Sequence, residues 1–487
     1  MTIADHAPLP RPPVHWLQEH ARERPDAPAI LAGGATISYG DLYARAAALA
    51  QVLSRRGVMP GTVLASESAS AVLTALLVHA APLLGCALLP LNPALPATCR
   101  AALLRQADAA GLIADTAATG GRRPLLSSAL LEDLRDASGT PPPAAPLDLE
   151  DIHLIVATSG SSGEPKGVML TGRNIAASVR ASRDRLGLEP GDRWLACLPL
   201  FHVGGLSILY RCAEVGATVL LHERFDAQRV LTDIDTHAIT HISLVPTMLA
   251  RLLECAGDAP APASLRRVLV GGAALPSALA RRARAAGWPV CASYGMSEAG
   301  SQVATLCPLP ADWSGGLVGR PLAGIEVAIE ASTAGGAGRI RIRGDVVMAG
   351  YVNPERRAGD GLKDGWFETS DLGRLDAEGN LIVLGRADDM LVSGGENVSP
   401  QLVEDLIAAC PGVAEVGVTA RPDEVWGDRI VAVFAGTIDA AALEAWCRVR
   451  LAGALRPREF IRVAALPRNA AGKLDRRALR ELLGPAR

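Results

Sequence analysis

Apolar residues follow two patterns along the first part of the chain: helical spacing and short continuous runs. From Leu42 to Leu53 they follow helical spacing, and Gly57 comes next as a stop signal. Ser38 and Asp41 precede this pattern at the spacing of a capping box. Short apolar runs that fit buried strands lie at 63–65, 87–89, 112–114 and 153–157. This alternation predicts an α/β fold with layered subdomains and mainly parallel sheets.

One stretch, 68–99, carries no Asp, Glu, Lys or Arg and therefore needs to be tested as a membrane segment. Pro82 and Gly85 interrupt it. A buried helix over 71–80 followed by a buried strand near 86–89 fits better than a continuous span of ~20 apolar residues. We expect no membrane insertion.

Composition and charge narrow the class of protein. The 487 residues suffice for about three domain-sized units, and 49% are apolar, which predicts a globular enzyme. The formal net charge of −3 gives no reason to expect a nucleic acid as partner. Nine cysteines occur without a Cys-x-x-Cys pair, and residues 1–13 lack the apolar core of a signal peptide. We expect a cytoplasmic protein with reduced cysteines.

A loop rich in glycine and hydroxyl side chains follows the apolar run at 153–157. Its residues are Thr158, Ser159, Gly160, Ser161, Ser162, Gly163, Glu164, Pro165, Lys166 and Gly167. Glycines let backbone N–H groups approach a polyphosphate, hydroxyls donate hydrogen bonds, and Lys166 adds positive charge. Pro165 and Gly167 flank the lysine, which excludes the Walker-type loop of GTPases and P-loop kinases. Composition alone leaves a flexible surface loop as the alternative.

The loop resembles the phosphate loop of adenylate-forming enzymes, a superfamily of acyl- and aryl-CoA ligases, luciferases and peptide-synthetase adenylation domains. The stretch 293–298 is similar to the superfamily's magnesium motif. This resemblance implies that Glu298 holds the Mg²⁺ on ATP, for which one carboxylate suffices, and that Tyr294 stacks on adenine. The implied ATP- and AMP-binding residues are Thr158, Ser159, Gly160, Ser161, Ser162, Gly163, Lys166, Gly272, Tyr294, Gly295, Ser297, Asp371 and Arg386.

The same resemblance implies two domains. Asp371 corresponds to the aspartate that accepts hydrogen bonds from the ribose hydroxyls, and Arg386 to an arginine that contacts the nucleotide. Asp388 corresponds to the hinge about which a small C-terminal domain rotates between two half-reactions. We therefore expect an N-terminal adenylation domain over 1–385 and a mobile α+β domain over 386–487.

Coenzyme A and the acid bring in five further residues. Gly394 and Gly395 would allow close approach of the pantetheine, and Trp426 would pack against the CoA nucleotide, with a core tryptophan as its alternative. Lys473 resembles the superfamily's catalytic lysine. His202 lies in a Pro-x-x-His turn like the one that borders the acyl pocket, although a hydrogen-bonded histidine at a strand end is the alternative.

Together these features imply an ATP-dependent acid–thiol ligase with Lys473, His202 and Glu298 as its catalytic residues. Its cofactor and co-substrates would be Mg²⁺, ATP and CoA, and its product would form through an acyl-adenylate. Both the carboxylate and the triphosphate are anions, so catalysis needs cations where the charge concentrates. A homodimer is retained as a hypothesis, because the sequence does not specify an assembly.

The identity of the acid rests on a narrower resemblance. The stretches 199–209, 240–246 and 294–302 are similar to those of the ligases that activate o-succinylbenzoate for menaquinone synthesis. That acid has a second carboxylate, so a cation is expected in its pocket, and Arg211 is a candidate. The alternative is that Arg211 only pairs with Glu214.

Three other functions remain open at this point. Pocket residues vary between related enzymes, so a benzoate-type or medium-chain acyl-CoA ligase is the first alternative. A stand-alone adenylation enzyme that loads a separate carrier protein is the second. The third, a nucleotide-binding protein without catalysis, is disfavoured because Lys473, Glu298 and Asp371 are all present.

Overall fold

Several helices begin where the sequence supplies a capping side chain. The computed structural model describes residues 16–116, 125–136, 148–159, 165–331, 336–353, 355–468 and 474–483. In it, Ser38 Oγ accepts the Asp41 N–H at 3.1 Å and opens a helix that ends at Arg55, before Gly57 at a φ of 89°. Thr171 and Asn174 form a complete capping box, with each side chain bonded to the backbone of the other. Local signals therefore fix where these helices start.

The helices and strands follow in chain order. The helices are α1 (Trp16–Glu23), α2 (Tyr39–Arg55), α3 (Ala71–Leu83), α4 (Ala97–Gln106), α5 (Ser127–Asp136), α6 (Gly172–Leu186), α7 (Val203–Val215), α8 (Ala227–Thr236), α9 (Pro246–Ala256), α10 (Ser277–Ala285), α11 (Pro400–Ile407), α12 (Ala440–Arg450) and α13 (Arg476–Glu481). The strands are β1 (Pro28–Ala32), β2 (Ala35–Ser38), β3 (Val63–Ser66), β4 (Ala87–Pro90), β5 (Ala109–Ala114), β6 (Leu125–Leu126), β7 (Ile152–Ser159), β8 (Pro165–Thr171), β9 (Arg193–Ala196), β10 (Thr218–Leu221), β11 (His241–Leu244), β12 (Arg267–Val270), β13 (Val290–Met296), β14 (Ser301–Leu306), β15 (Leu317–Gly319), β16 (Glu326–Ala331), β17 (Gly338–Arg343), β18 (Gly350–Tyr351), β19 (Leu362–Lys363), β20 (Trp366–Leu375), β21 (Leu381–Arg386), β22 (Leu391–Ser393), β23 (Glu396–Val398), β24 (Val413–Asp423), β25 (Gly427–Gly436) and β26 (Glu459–Arg462).

Two large sheets are parallel at their centres, as the sequence predicted. The first has the order β14-β13-β12-β11-β9-β10-β1-β2, and only its edge strands β14 and β2 pair antiparallel. The second has the order β18-β8-β7-β4-β3-β5-β6, and β8 and β18 are its antiparallel strands. Helices α2, α3, α6 and α7 contribute to one buried cluster that spans both sheets. The predicted α/β class is confirmed.

A third sheet, built from β15 to β17 and β19 to β21, is antiparallel throughout. The sequence analysis did not predict it. The fourth sheet, with strands β22 to β26, packs with α11 and α12 around its own core, which includes Val403, Phe434 and Leu443. This is the small C-terminal α+β domain; the boundary at 385/386 stays a prediction.

Two expectations about the body of the protein have an outcome in the structure. The uncharged stretch forms the buried helix α3 followed by β4, and no helix in the described part of the chain is long and apolar enough to cross a membrane.

The expectation of reduced cysteines is wrong for one pair, since Cys291 and Cys307 form a disulfide with their Cα atoms 4.5 Å apart. The pair is adjacent because Ala292 faces Leu306 in the antiparallel ladder of β13 and β14. The other seven cysteines are free.

Candidate active site

The predicted phosphate loop connects β7 and β8, which pair with each other antiparallel. Thr158 at the end of β7 pairs with Lys166 at the start of β8, and its Oγ1 donates to the Lys166 carbonyl at 3.3 Å. Ser159 pairs with Pro165 in the same ladder. The tip residues Gly160, Ser161, Ser162 and Gly163 lie outside the described residues. The pair β7 and β8 anchors both ends of the loop near one edge of the second sheet, where β18 covers β8.

A tyrosine that the sequence analysis missed connects this lysine to the expected magnesium ligand. Lys166 Nζ lies 4.9 Å from the centroid of the Tyr351 ring, and the Tyr351 hydroxyl donates to Glu298 Oε1 at 2.9 Å. Burial and the negative charge of Glu298 raise the pKa of Tyr351, so the phenol keeps the proton that it donates. Within the described part of the chain Lys166 has no carboxylate partner, which leaves its charge available to an anion.

Backbone geometry fixes the position of Glu298. The residue lies in a single 3₁₀ turn, Ser297–Ala299, directly after β13, and its carbonyl accepts the Met348 N–H at 2.8 Å. Gly295 precedes the turn at a register shift between β13 and β14, where a Cβ would collide with the carbonyl oxygen of Ser301. Only glycine lets the two strands approach this closely.

The expected adenine and ribose residues contact each other. The Tyr294 hydroxyl donates to Asp371 Oδ2 at 2.7 Å, which joins the first sheet to the third. Burial, and next the charge of Asp371, raise the pKa of Tyr294 well above its usual value. Asp371 faces Arg386 across the ladder of β20 and β21. The structure thus brings Tyr294, Asp371 and Arg386 to one place, and their roles towards a nucleotide stay predictions.

His202 is not at a strand end; it is the N-cap of α7, and it makes no capping hydrogen bond with its side chain. Its ring centroid lies 4.6 Å from that of Phe201. Gly205 in the first turn packs directly on the Pro199 carbonyl, since a Cβ there would lie 2.5 Å from that oxygen. The turn that contains His202 leads directly into α7. The role of His202 beside an acyl pocket stays a prediction.

Further along the same helix, Arg211 is a buried cation that is only 1% exposed. One Nη2 hydrogen bond goes to Ser301 Oγ at 3.0 Å, and the guanidinium lies 5.4 Å from the Trp194 ring centroid. The Nε is buried without a hydrogen-bond partner, and no carboxylate among the described residues pairs with this arginine. Burial lowers the pKa of Arg211 to about 10, so it stays protonated at neutral pH.

The alternative explanation for Arg211, an ion pair with Glu214, is wrong. Glu214 Oε1 instead binds Arg183 Nη1 on α6 at 2.7 Å. Ser207 Oγ, also on α7, lies 3.5 Å from Ser301 Oγ and completes a polar cluster of Arg211, Ser207 and Ser301. Because Ser301 follows the Glu298 turn, this cluster lies next to the predicted nucleotide-binding stretch 293–298.

The residues expected at the hinge and the CoA site form separate groups. Arg386 Nη2 lies 3.3 Å from Oδ2 of Asp388, the predicted hinge residue. Gly394 and Gly395 form the turn between β22 and β23 with φ of 58° and 80°, and the Gly394 N–H donates to the Trp426 carbonyl at 2.8 Å.

Trp426 is half-buried and does not belong to the buried core of the C-terminal domain, so the alternative of a core tryptophan is wrong. Its ring packs against the backbone of Gly394, and the Arg458 guanidinium lies over it at 4.0 Å. Gly272 follows β12 with a φ of 77°. Lys473 lies outside the described residues.

The family profile described as AMP-binding enzyme matches residues 17–352, and the profile of the AMP-binding enzyme C-terminal domain matches 402–473. The chain belongs to the AMP-binding enzyme family. Within this family, the 2-succinylbenzoate–CoA ligase of Bacillus licheniformis is 37% identical over 479 residues, which cover 96% of this chain and 99% of that ligase.

Solved structures of a 2-succinylbenzoate-activating enzyme are also similar to this chain. The o-succinylbenzoate CoA synthetase of Bacillus subtilis in complex with its acyl-adenylate intermediate superposes with a TM-score of 0.87 at 34% identity, covering 97% of this chain and 98% of that one. A double mutant of that synthetase bound to a product analogue superposes with a TM-score of 0.72 at 34% identity, covering 96% and 98%.

Proposed function

We propose that this AMP-binding enzyme is an ATP-dependent acid–CoA ligase that activates 2-succinylbenzoate through an acyl-adenylate. Menaquinone synthesis would be the pathway that uses the product. Full-length similarity to 2-succinylbenzoate–CoA ligases supports the reaction class. The observation that carries the choice of acid is Arg211, a buried cation without a carboxylate partner. The reaction converts only one of the two carboxylates of 2-succinylbenzoate, and the other could pair with this arginine.

The first half-reaction joins two anions. A carboxylate oxygen of the acid attacks the α-phosphorus of ATP, and the bond to the β-phosphate oxygen breaks with loss of pyrophosphate. Lys166 and the loop at 158–163 would hold the leaving pyrophosphate, and Lys473 would bridge the acid and the α-phosphate. Tyr294 and Asp371 would orient the adenosine, which fixes the reacting atoms in line and supplies much of the rate enhancement.

Mg²⁺ fits this site as a partner of ATP. No cluster of three or more His, Cys, Asp or Glu side chains that could hold a metal exists within the described ranges. Glu298 offers one carboxylate, with one oxygen hydrogen-bonded to Tyr351, and Mg²⁺ commonly binds through one or two carboxylates plus phosphates and water. When bound, the ion would neutralise phosphate charge.

The second half-reaction transfers the acyl group to CoA. The thiol sulfur attacks the acyl carbon, and the carbon–oxygen bond to AMP breaks. Rotation at Asp388 would withdraw Lys473 and bring in Gly394 and Gly395. The Trp426 ring would receive the CoA nucleotide. We place the reaction in the cytoplasm, where ATP and CoA are available, and a homodimer stays a hypothesis.

Exchange of labelled pyrophosphate into ATP tests this mechanism without CoA. We expect exchange that depends on both 2-succinylbenzoate and Mg²⁺, because adenylation is reversible until the thiol attacks. Addition of CoA should then give the thioester and AMP in equal amounts. Exchange without thioester would indicate a carrier protein as the acceptor, and the absence of exchange with any acid would refute the ligase assignment.

A further inference from the structure

One contact joins the C-terminal domain to a helix of the N-terminal domain. Asp405 on α11 accepts two hydrogen bonds from Ser277 at the start of α10, one from the backbone N–H at 2.6 Å and one from Oγ at 2.7 Å. Ser277 Oγ in turn accepts the Gly315 N–H at 3.0 Å. Ser277 is only 8% exposed, so water has little access to compete for these bonds.

The contact supplies a cap that α10 lacks. Its N-cap residue is Pro276, which gives no side-chain hydrogen bond, whereas α2, α6, α8 and α12 are capped by the residue that precedes them. The first N–H groups of a helix need acceptors, and a carboxylate is favoured at this positive end. Here the carboxylate comes from the other domain. Gly315 permits the approach, because a Cβ there would lie 2.9 Å from Asp405 Oδ2.

The position of α10 connects this cap to the site. α10 follows the turn at Gly271 and Gly272 after β12, and Gly272 is among the residues expected to contact ATP or AMP. Asp405 and Ser277 lie on opposite sides of the hinge position Asp388. A rotation about that position therefore separates them, while the bond from Ser399 Oγ to the Leu384 carbonyl at 2.6 Å lies close to the pivot.

We propose that the Asp405–Ser277 contact is a latch that holds the C-terminal domain in the arrangement for adenylation and is released for thioester formation. This inference rests on the proposed two-step ligase function. It agrees with the closer superposition of this chain on the acyl-adenylate complex than on the product-analogue complex. Asp405 is thus a positioning residue: its carboxylate contacts Ser277 of the N-terminal domain and biases one of two domain arrangements.

The two half-reactions separate this role from a general loss of stability. Adenylation is followed by pyrophosphate exchange, and thioester formation by adding CoA to chemically prepared acyl-adenylate. We expect Asp405→Ala to slow adenylation about tenfold while thioester formation stays within about twofold of wild type or becomes faster. Asp405→Asn keeps one acceptor oxygen, so its adenylation rate should lie between those of Asp405→Ala and wild type.

A double-mutant cycle and a matched control complete the test. Ser277→Ala should slow adenylation less than Asp405→Ala, and the double variant should be no slower than Asp405→Ala alone, because both remove one contact. Asp439→Ala is the control, since Asp439 caps α12 within the C-terminal domain by accepting the Ala442 N–H at 2.8 Å. It should change the ratio of the two half-reaction rates by less than about twofold.

Amide hydrogen exchange gives a readout independent of turnover. Amides in peptides that contain Ser277 should exchange faster in Asp405→Ala than in wild type. In wild type, the same amides should exchange faster with a CoA product analogue bound than with an acyl-adenylate analogue bound. Equal loss of both half-reactions in folded Asp405→Ala, or additive effects in the cycle, would overturn the latch. If wild type itself shows no acid-dependent exchange of pyrophosphate, the ligase function fails instead.

Discussion

Replacement of Arg211 by methionine should remove the preference for a diacid and leave the chemistry intact. Methionine fills a similar volume and carries no charge. In the free protein the guanidinium is buried with a single neutral hydrogen-bond partner, Ser301, so much of its desolvation has already occurred. A substrate carboxylate that reaches it gains charge-assisted hydrogen bonds at no further cost to the arginine.

The size of the effect follows from this burial. Removal of one partner of a buried ion pair typically costs about 3–5 kcal/mol, because the other charge stays buried and unpaired. The lower end is appropriate here, since the substrate carboxylate can retain some water in the variant. A loss of about 3 kcal/mol corresponds to a decrease of roughly a hundredfold in kcat/KM.

The assay compares three acids on two proteins. 2-Succinylbenzoate is measured against 4-oxo-4-phenylbutanoate and 2-butanoylbenzoate, each of which lacks one of its two carboxylates. Wild type should favour the diacid about a hundredfold over whichever mono-acid still reacts, and Arg211→Met should reduce that ratio to roughly one to three. Arg211→Lys should retain part of the preference, because the charge remains.

Arg183→Met is the matched control, because Arg183 pairs with Glu214 on the same helix as Arg211. It should leave the ratio of the diacid to the mono-acid unchanged, whatever it does to thermal stability. An equal loss of kcat/KM for the diacid and for the mono-acid in folded Arg211→Met would refute a contact between Arg211 and the second carboxylate.

Three further predictions concern the nucleotide site. Tyr351→Phe removes the hydrogen bond to Glu298, so the Mg²⁺ concentration for half-maximal rate should rise about fivefold, roughly 1 kcal/mol, with the KM for the acid unchanged. Tyr294→Phe frees Asp371 and should raise the KM for ATP by a similar factor, measured at saturating acid and Mg²⁺; an unchanged KM would mean that Asp371 does not need this orientation. Lys473→Ala should abolish pyrophosphate exchange but still form thioester from supplied acyl-adenylate, and equal loss of both steps in the folded variant would contradict the rotation of the domain.

Local features of the fold could be predicted from the sequence. One example is the helix that starts after Ser38, and another is the helix and strand of the uncharged stretch. In both, the signals for the start, the type and the end of each element lie within a few residues of it. The antiparallel third sheet was missed although β17 carries a clear signal. In β17 the buried Ile340 and Ile342 alternate with Arg339, Arg341 and Arg343.

Contacts between distant residues could not be predicted in this way. Tyr351 lies on a two-residue strand, 53 positions from Glu298, and no periodicity indicates that they meet. Asp405 and Ser277 are 128 positions apart. Tyr294 and Asp371 were each expected near the nucleotide, so their proximity was implicit, whereas their direct hydrogen bond depends on how the first and third sheets pack.

The most direct test of the account measures kcat/KM for CoA-thioester formation with ATP and Mg²⁺ across 2-succinylbenzoate, benzoate derivatives and fatty acids of increasing length. We predict that 2-succinylbenzoate exceeds every other acid by about a hundredfold, roughly 2.7 kcal/mol of discrimination in the transition state. A mono-acid with equal or higher kcat/KM would contradict the assignment of the substrate and of Arg211, while the ligase reaction itself would stand.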